Sequence, residues 1–346
     1  MRLTLASLFA LATLAVAAPT VDEHTKHHGK HHGSHHKHPA VKGKAFDHIL
    51  QVWFENQDFD VVDSIANWKN LAKEGILLEN FNAITHPSEP NYVAAAGGSN
   101  FGITNDDYYN IPANISTIYD LLEKKGLTWK VYQEDIPSVG YTGYKAGQYV
   151  RKHNPAVIFD SVAENPKRVK NIVPGTQLDA DIKAGKLPNW MFYTPNMLND
   201  AHDTDAKYAG KWLKRFYETT LSKPELLKNT LILLTFDENA SYPQRNRVWS
   251  LLLGDIPKKL KGTKDSTYYT HYSTLHTVEQ NWDLGSLGRG DAEKKSNNVF
   301  DFVAKQIHYK NLNVAEHDIP LNNNTISGLL TGKSFNETHT SGTPPP

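Results

Sequence analysis

Short apolar segments alternate with amphipathic segments along the middle of the chain. The apolar segments predict strands, which are HILQVWF (48–54), GILLENF (75–81), TWKVYQ (128–133), NWMFYT (189–194), TLILLTF (230–236) and RVWSLLLG (247–254). The amphipathic segments predict helices near residues 63–74, 114–125, 205–220 and 271–283. Because strands buried on both faces form nearly continuous apolar runs, we expect a mostly parallel central sheet with helices on both faces. This is a three-layer α/β/α sandwich.

Two features add detail to this outline. The helix near residue 114 has Asn114 or Ser116 as a suitable cap and Gly126 as a stop. Residues 135–187 are rich in Gly, Pro, Tyr and Lys, and they predict a loop-rich insertion or a cap over the sheet.

The first 43 residues differ from the rest of the chain. Arg2 precedes an apolar run that ends in Ala15-Val16-Ala17, so residues 1–18 are predicted to be the signal peptide of a secreted protein. Residues 19–43 hold a His-rich stretch with few apolar positions, which predicts a disordered leader. The leader is either a metal-binding or propeptide segment or a solvated linker.

The remaining chain is predicted to be one catalytic domain, residues 44–312, and a tail, residues 313–346. The tail is rich in Asn, Thr, Ser and Pro from about residue 322, so we expect it to be loose. Glycosylation of a secreted protein is predicted at the Asn-x-Ser/Thr sites, which are Asn114, Asn239, Asn323 and Asn336.

Composition excludes some classes of function. Lys and Arg number 37, as do Asp and Glu, so the formal net charge is +0 and lacks the basic excess expected of a nucleic-acid-binding protein. The chain has no cysteine, so its stability must come from a large core and not from disulfides. No apolar stretch reaches the roughly 20 residues of a membrane-spanning helix, and stable membrane association is not expected.

Polar side chains follow several predicted strands, where ligands of open α/β sheets bind. The first strand runs into Glu55-Asn56 and the fifth into Asp237-Glu238. Their carboxylate and amide oxygens suit a divalent cation, whose identity the sequence does not determine. The alternative is that each pair caps a helix or lies in a loop.

Ser88 follows the second predicted strand, in the segment THPSEPNYV (85–93). A serine hydroxyl becomes a nucleophile only when a base or a metal removes its proton. The sequence contains no G-x-S-x-G motif, which disfavours a lipase-type hydrolase. Ser88 is also a suitable N-cap for a helix that continues into YVAAA. The two roles are compatible, because a helix N-terminus presents N–H groups to an anion.

Two histidines are candidate acids or phosphate ligands. His202 is flanked by acidic residues, which are expected to raise its pKa, and His271 lies at the start of a predicted helix. Either could instead be a surface or capping residue. We interpret His48 as structural, at the opposite edge of the sheet, and His276 as packed, and leave the role of His86 open.

Five segments, in order, carry a resemblance to a known family. The segment DHILQVWFENQDFD resembles the opening signature of the phosphoesterase family of bacterial phospholipases C and fungal secreted acid phosphatases. HPSEPNYVAAAGGS, PNMLNDAHD, LLTFDEN and THYSTLHTVEQNW resemble its later segments. The resemblance spans roughly residues 46–310 and is greatest to the phosphate-repressible acid phosphatases of fungi and yeasts.

The resemblance implies a fold similar to alkaline phosphatase and a metal-assisted hydrolysis. It implies that Ser88 is the nucleophile, that Asn91 contacts phosphate, and that His202 and His271 bind phosphate or protonate the leaving group. The metal ligands that it implies are Glu55, Asn56, Ser88, Asp237 and Glu238.

The function implied is a secreted acid phosphatase that hydrolyses small phosphate monoesters through a phosphoserine. Protonated histidines would favour acid pH. Phospholipases C carry Glu-Asn-Arg-Ser-Phe-Asp after the first strand, whereas this chain reads Glu55-Asn56-Gln57-Asp58-Phe59-Asp60, so phospholipid specificity is not expected. The alternatives are a phosphodiesterase or phospholipase C on the same scaffold, and a non-catalytic metal-binding protein of the cell wall.

Overall fold

A computed structural model describes residues 41–334 of the chain. The strands are β1 (His48–Phe54), β2 (Ile76–Leu78), β3 (Phe81–Asn82), β4 (Trp129–Gln133), β5 (Lys145–Ala146), β6 (Tyr149–Val150), β7 (Ile172–Pro174), β8 (Trp190–Thr194), β9 (Thr230–Phe236), β10 (Ser250–Gly254), β11 (Thr263–Asp265) and β12 (Tyr269–Thr270). The helices are α1 (Phe59–Ser64), α2 (Ala66–Ala72), α3 (Ser88–Gly97), α4 (Ile118–Lys124), α5 (Asp160–Ala163), α6 (Gln177–Ala184), α7 (Ala206–Phe216), α8 (Pro224–Leu227), α9 (His271–Trp282) and α10 (Asp301–Ile307).

The main sheet has eight strands in the order β11-β2-β10-β9-β1-β8-β4-β7. All neighbouring pairs are parallel except those of β10, which is antiparallel to both β2 and β9. The apolar strands β1 and β9 pair in parallel along their whole length at the centre, from His48 opposite Thr230 to Phe54 opposite Phe236. The carboxyl ends of β1, β8 and β9 therefore lie at one edge of the sheet.

Helices cover both faces of the sheet. Successive side chains of a strand point to opposite faces, so neighbouring residues of β1 contact helices on different sides. On one side, Trp53 packs against Tyr92 of α3 and stacks on His271 of α9. On the other, Phe54 packs against Trp68 of α2 and Trp212 of α7. The predicted three-layer fold with a mostly parallel sheet is confirmed.

The long buried strands β1, β4, β8 and β9 match the predicted ones, but two predicted elements are divided. The strand predicted over 75–81 is interrupted by a turn at Glu79-Asn80, so that β3 pairs with β12 in a separate two-stranded sheet. The helix predicted over 63–74 is divided at Ile65, whose backbone is extended, into α1 and α2.

The helix predicted from residue 114 begins later. Thr117 is its N-cap, with a capping box in which the Asp120 carboxylate accepts a hydrogen bond from the Thr117 N–H at 2.8 Å. The predicted caps Asn114 and Ser116 are therefore wrong. The predicted stop is close, because α4 ends at Lys124 and Gly126 has a φ of +75°.

Residues 135–187 are not only an insertion over the sheet. They include β7, the edge strand beside β4, and the helix α6. The pattern did not reveal β7 because three residues are too few to show a period. The 3-10 turn Arg151–His153 from the same region reaches the edge of the sheet where β1 ends, since His153 Nε2 lies 3.3 Å from Glu55 Oε2.

The tail is ordered where the structure describes it, up to residue 334. The Asn322 side chain donates to the Ala83 carbonyl at 2.7 Å, and the Leu330 N–H donates to the Phe101 carbonyl at 2.8 Å. The expectation of a loose tail is therefore wrong for residues 322–334. The predicted signal peptide, almost all of the leader, and Asn336 lie outside the described residues. Within residues 41–334, no helix is long and apolar enough to cross a membrane.

Candidate active site

Three parallel strands bring acidic residues together at their carboxyl ends. Glu55 directly follows β1, Asp237 directly follows β9, and Asp200 lies in the loop after β8. The Glu55 N–H donates to the Asp200 carbonyl at 2.8 Å, and the Asp237 N–H donates to the Phe54 carbonyl at 2.9 Å, so the three segments are held side by side. All three acidic side chains are fully buried.

Ser88 faces this group from the start of α3. Its Oγ donates to Glu55 Oε2 at 2.9 Å. The N-cap of α3 is Pro87, and its side chain makes no capping bond, so the prediction that Ser88 caps the helix is wrong. The preceding His86–Pro87 peptide bond is cis. Ser88 is therefore the first helical residue, with its hydroxyl directed at a carboxylate.

Asn91 holds the loop that carries Ser88. Its Oδ1 accepts from the N–H groups of Ile84 and Thr85, at 3.0 and 3.3 Å. Its Nδ2 donates to the carbonyls of Thr85 and Pro87, at 2.9 and 3.1 Å. An amide offers two donors and two acceptor positions, and all four are used here. This arrangement supports a positioning role for Asn91 in place of the predicted phosphate contact.

The second predicted acidic pair, Asp237-Glu238, has contacts with Asn56 and His86. Asp237 Oδ1 accepts from the Asn56 N–H at 3.1 Å. Glu238 Oε2 is in close contact with Nδ1 of His86, whose ring stacks on Tyr242 with centroids 3.8 Å apart. His86, left without a role by the sequence, is thus a neighbour of a predicted metal ligand.

A metal ion fits the chemistry of this site. One ligand atom each from Glu55, His153 and Asp200 lie within 4.8 Å of one another. Among the described residues, several buried atoms nearby have no hydrogen-bond partner, including Asn56 Oδ1, His153 Nε2, Asp200 Oδ2, Asp237 Oδ2 and Glu238 Oε2. Buried polar atoms are rarely left unpaired in native proteins, and a bound ion is one reason for such exceptions.

The raised pKa values of the buried acids also favour a bound cation. Burial, followed by repulsion from neighbouring carboxylates, raises the pKa of Glu55 well above its usual value. Burial raises the pKa of Asp200 and Asp237 as well. Like charges in one buried site repel each other unless a cation offsets them. The oxygen ligands Glu55, Asn56, Asp237 and Glu238 predicted from the sequence are thus brought together, and His153 and Asp200 extend the set.

His202 lies at the margin of the site beside Lys152. Its Nε2 is 3.1 Å from Lys152 Nζ, and its Nδ1 is 2.9 Å from Asp203 Oδ1. A lysine ammonium only donates, so Nε2 accepts and Nδ1 carries the proton. Burial and the Lys152 charge lower the pKa of His202, although Asp203 acts in the opposite direction. The predicted rise in its pKa is therefore wrong, because the sequence revealed neither the burial of the ring nor the neighbouring lysine.

His271 is buried beneath the site. It stacks on Trp53, and its Nε2–H donates to the Asp237 carbonyl at 2.7 Å. Its side chain is inaccessible to solvent, and burial lowers its pKa to about 4. The position supports a role in orienting the Asp237 segment in place of the predicted contact with phosphate. His276 is packed against Tyr309, and His48 Nδ1–H donates to the Pro188 carbonyl at 2.8 Å at the opposite edge, as expected.

Sequence reasoning missed several residues of the site. Lys152 and His153 come from the region predicted to be a cap, and Tyr92 of α3 donates a hydrogen bond to Glu55 Oε1. The His153 ring stacks on Tyr92, with Nε2 3.3 Å from Glu55 Oε2. The adjacent cation and imidazole in Lys152-His153 were a usable signal, but nothing in their spacing linked them to Glu55.

The predicted glycosylation sites differ in accessibility. Asn114 is exposed and Asn323 is partly exposed. Asn239 is only 2% exposed, and its Nδ2 donates to the Ser241 carbonyl at 3.1 Å. The folded chain therefore has no room for a glycan on Asn239.

Two acid phosphatases are similar in sequence to this chain over most of its length. The chain is 44% identical over 305 residues to an acid phosphatase of Aspergillus fumigatus, covering 86% of this chain and 67% of that protein. It is 48% identical over 301 residues to a phosphate-repressible acid phosphatase of Penicillium chrysogenum, covering 85% and 72%. A solved structure of an alkaline phosphatase superfamily protein from Vibrio parahaemolyticus aligns over 73% of this chain and 71% of that one, at 14% identity and a TM-score of 0.47.

The residues of the site lie within a longer match to one family. The match runs over residues 10–285, and so includes Glu55, Ser88, Asp200 and Asp237. This chain therefore belongs to the phosphoesterase family, the hydrolases of phosphate esters.

Proposed function

We propose that this protein is a secreted acid phosphatase that hydrolyses small phosphate monoesters through a phosphoserine at Ser88. The observation that supports it most is the contact between Ser88 Oγ and Glu55 Oε2 at 2.9 Å, within a group of buried acids. Acid phosphatases at 44% and 48% identity over most of the chain support the same conclusion.

In the first step, the Ser88 oxygen attacks phosphorus in line with the ester oxygen. The bond between Oγ and phosphorus forms, the bond between phosphorus and the ester oxygen breaks, and the serine proton passes to Glu55, which already accepts it. The alcohol leaves with a proton from solvent. Water then attacks phosphorus, the bond to Oγ breaks, and Ser88 recovers its proton as inorganic phosphate is released.

A divalent ion would be held by Glu55, with Asp237, Asn56, His153 and Asp200 as the other available ligands. Such an ion supplies positive charge that stabilises the phosphoryl oxygens. Its identity is open, because a mixed oxygen and imidazole set suits several metals.

Lys152 is proposed to contribute charge from the protein itself. Its Nζ lies 2.9 Å from Asp106 Oδ2 and 3.1 Å from His202 Nε2, beside a site otherwise rich in carboxylates. A dianionic phosphoryl group entering this site needs such a cation, since ammonium groups stabilise the charge of the transferring phosphoryl oxygens. His202 then orients Lys152 as a neutral acceptor, because burial and the Lys152 charge lower the pKa of His202.

The substrate class is tested by comparing p-nitrophenyl phosphate, bis-p-nitrophenyl phosphate and phosphatidylcholine. We expect the monoester to be hydrolysed fastest, with Ser88→Ala losing nearly all of that activity. Faster turnover of the diester or the lipid would favour the phosphodiesterase or phospholipase C alternative. Undiminished activity of Ser88→Ala would refute the assignment of the nucleophile.

Secretion is proposed from the N-terminal pattern alone. We expect the protein recovered from the culture medium to begin after residue 18 or further along. N-terminal sequencing of the secreted protein tests this, and a chain that stays inside the cell with Met1 intact would contradict it.

A further inference from the structure

Asn246 connects the two halves of the site without touching it. It lies in the segment between β9 and β10 and is fully buried. Its backbone pairs with the strand that leads to the Ser88 loop, since the Ala83 N–H donates to the Asn246 carbonyl at 2.8 Å. None of the roles described above uses this residue.

The two polar atoms of the Asn246 side chain make hydrogen bonds to three different segments. Oδ1 accepts from the Asn239 N–H at 2.8 Å. Nδ2 donates to the Thr85 carbonyl at 2.9 Å and to the Asn322 carbonyl at 3.1 Å. Only an amide combines two donors with an acceptor in this shape. The residue therefore ties three segments, distant in sequence, at one point.

The partners of Asn246 are next to the reacting groups. Asn239 directly follows Glu238, and Thr85 lies three residues before Ser88. Asn91 holds the same loop from within, through the Thr85 N–H and carbonyl. The position of Ser88 relative to the acidic pair thus depends on Asn246, which bridges the two loops.

The third partner belongs to the C-terminal segment, residues 321–324. The Asn246 N–H donates to the Leu321 carbonyl at 2.8 Å, and the Thr85 hydroxyl donates to the Asn324 carbonyl at 2.8 Å. This segment lies beyond residues 10–285, the part of the chain that matches the family. The Ser88 loop is therefore contacted by a segment that lies outside the region matched to the family.

We propose that Asn246 is a positioning residue that fixes the Ser88 loop against the Asp237-Glu238 loop, with the C-terminal segment as the outer support. The inference rests on the proposed function, because that function assigns Ser88 and Asp237 to the chemistry. Catalysis is sensitive to small displacements, since a shift of about 1 Å can cost about 100-fold in rate.

Asn298 offers a matched control. It is also buried, its Nδ2 donates to the carbonyls of Tyr268 and Leu312 at 3.0 Å each, and its Oδ1 accepts from the Leu312 N–H at 2.8 Å. Its bonds also join separate segments, but neither of them carries Ser88 or the acidic pair. Replacing it removes the same number and kind of hydrogen bonds elsewhere.

The test compares Asn246→Ala with Asn298→Ala in the full chain, at a temperature where both are folded. We expect both to lower the melting temperature, but only Asn246→Ala to lower kcat, by about 10- to 100-fold, with KM changed far less. If Asn246→Ala does not fold, Asn246→Ser, which keeps an oxygen for the Asn239 N–H, takes its place. Equal kcat values for the two variants would overturn the proposal.

Amide hydrogen exchange separates this proposal from the proposed function. In the Asn246 variant we expect faster exchange in residues 83–92 and 237–242, whereas the Asn298 variant leaves these segments unchanged. If the Asn246 variant exchanges faster but the wild-type protein hydrolyses no phosphate ester, the positioning of the loops is supported and the proposed function is refuted. Unchanged exchange in both segments would refute the positioning role, whatever the activity.

Discussion

At the scale of single residues, the site combines many buried carboxylates with one nearby ammonium group. Glu55, Asp200 and Asp237 are inaccessible to solvent, and Lys152 lies within reach of their charge. Burial alone would lower the pKa of Lys152, but Asp106 and Glu55 outweigh it and raise the pKa. Lys152 is therefore protonated at neutral and acid pH, which makes it a source of positive charge for an anionic substrate.

Replacing Lys152 should lower activity more than stability. We expect Lys152→Met to reduce kcat/KM for a phosphate monoester by about 100-fold, because it removes a cation from the phosphoryl group in the transition state. Steady-state kinetics measures this. The control is Lys130→Met, which breaks the 2.5 Å pair with Asp181 far from the site and should leave kcat/KM within about twofold. Similar kinetics in the two variants would contradict the assigned role of Lys152.

The residues of the site differ in how far the sequence could predict them. Glu55, Ser88 and Asp237 follow long apolar strands or a strand-like segment, so their common edge followed from the pattern. His153 could not be placed, because it comes from a region without periodicity. Asn246 lies in a polar loop, and its importance comes from three contacts distant in sequence.

At the scale of secondary structure, α9 carries a second buried group of titratable residues, away from the site. His276 Nδ1 lies 3.2 Å from Glu279 Oε2, and the loop that follows the helix brings Asp291 nearby. Burial, and then repulsion from Asp291, raises the pKa of Glu279 to about 9. The helix therefore packs best with Glu279 protonated.

The sign of the resulting pH dependence follows from this shift. A carboxyl group whose pKa is higher in the folded state stabilises the fold fully below its unfolded pKa, near 4.5, and loses that contribution as the pH rises toward about 9. We expect the melting temperature to fall over this range, and Glu279→Gln to flatten the fall and to melt higher than the wild type near pH 8. Thermal melts across pH measure this, with exposed Glu225→Gln as the control. If the melting temperature of Glu279→Gln falls with pH in parallel with that of the wild type, the account is contradicted.

The length of a strand decided whether the sequence pattern could predict it. Strands β1 and β9 are seven residues long and apolar, and their predicted bounds agree with the structure. Strands β7 and β11 have three residues each and gave no usable signal. The antiparallel direction of β10 also could not be read from its composition, because direction is set by the chain connection and not by the side chains.

At the scale of the whole molecule, every residue assigned to the site lies within the described residues 41–334. The Ser88 loop is held by Glu55 after β1, by the segment before β10 and by the C-terminal residues 321–324. Catalysis is therefore expected to be a property of the described region.

Removing the His-rich residues 19–43 should leave hydrolysis of phosphate monoesters unchanged. The expectation follows because each proposed catalytic residue lies beyond this segment in the chain. The deletion is made behind the signal peptide, and activity is measured per folded protein with metal content determined in parallel. A large loss of activity or of bound metal would favour the leader as the functional metal site and support the alternative of a metal-binding protein.

The most direct test of the central claim is to trap the phosphorylated enzyme. Protein turning over a phosphate monoester is quenched in acid, digested and analysed by mass spectrometry. The account predicts one phosphoryl group on Ser88, in the peptide containing THPSEPNYV, and none on that peptide in Ser88→Ala. A phosphoryl group on another residue, or active enzyme with no phosphorylated peptide under any quench condition, would contradict it.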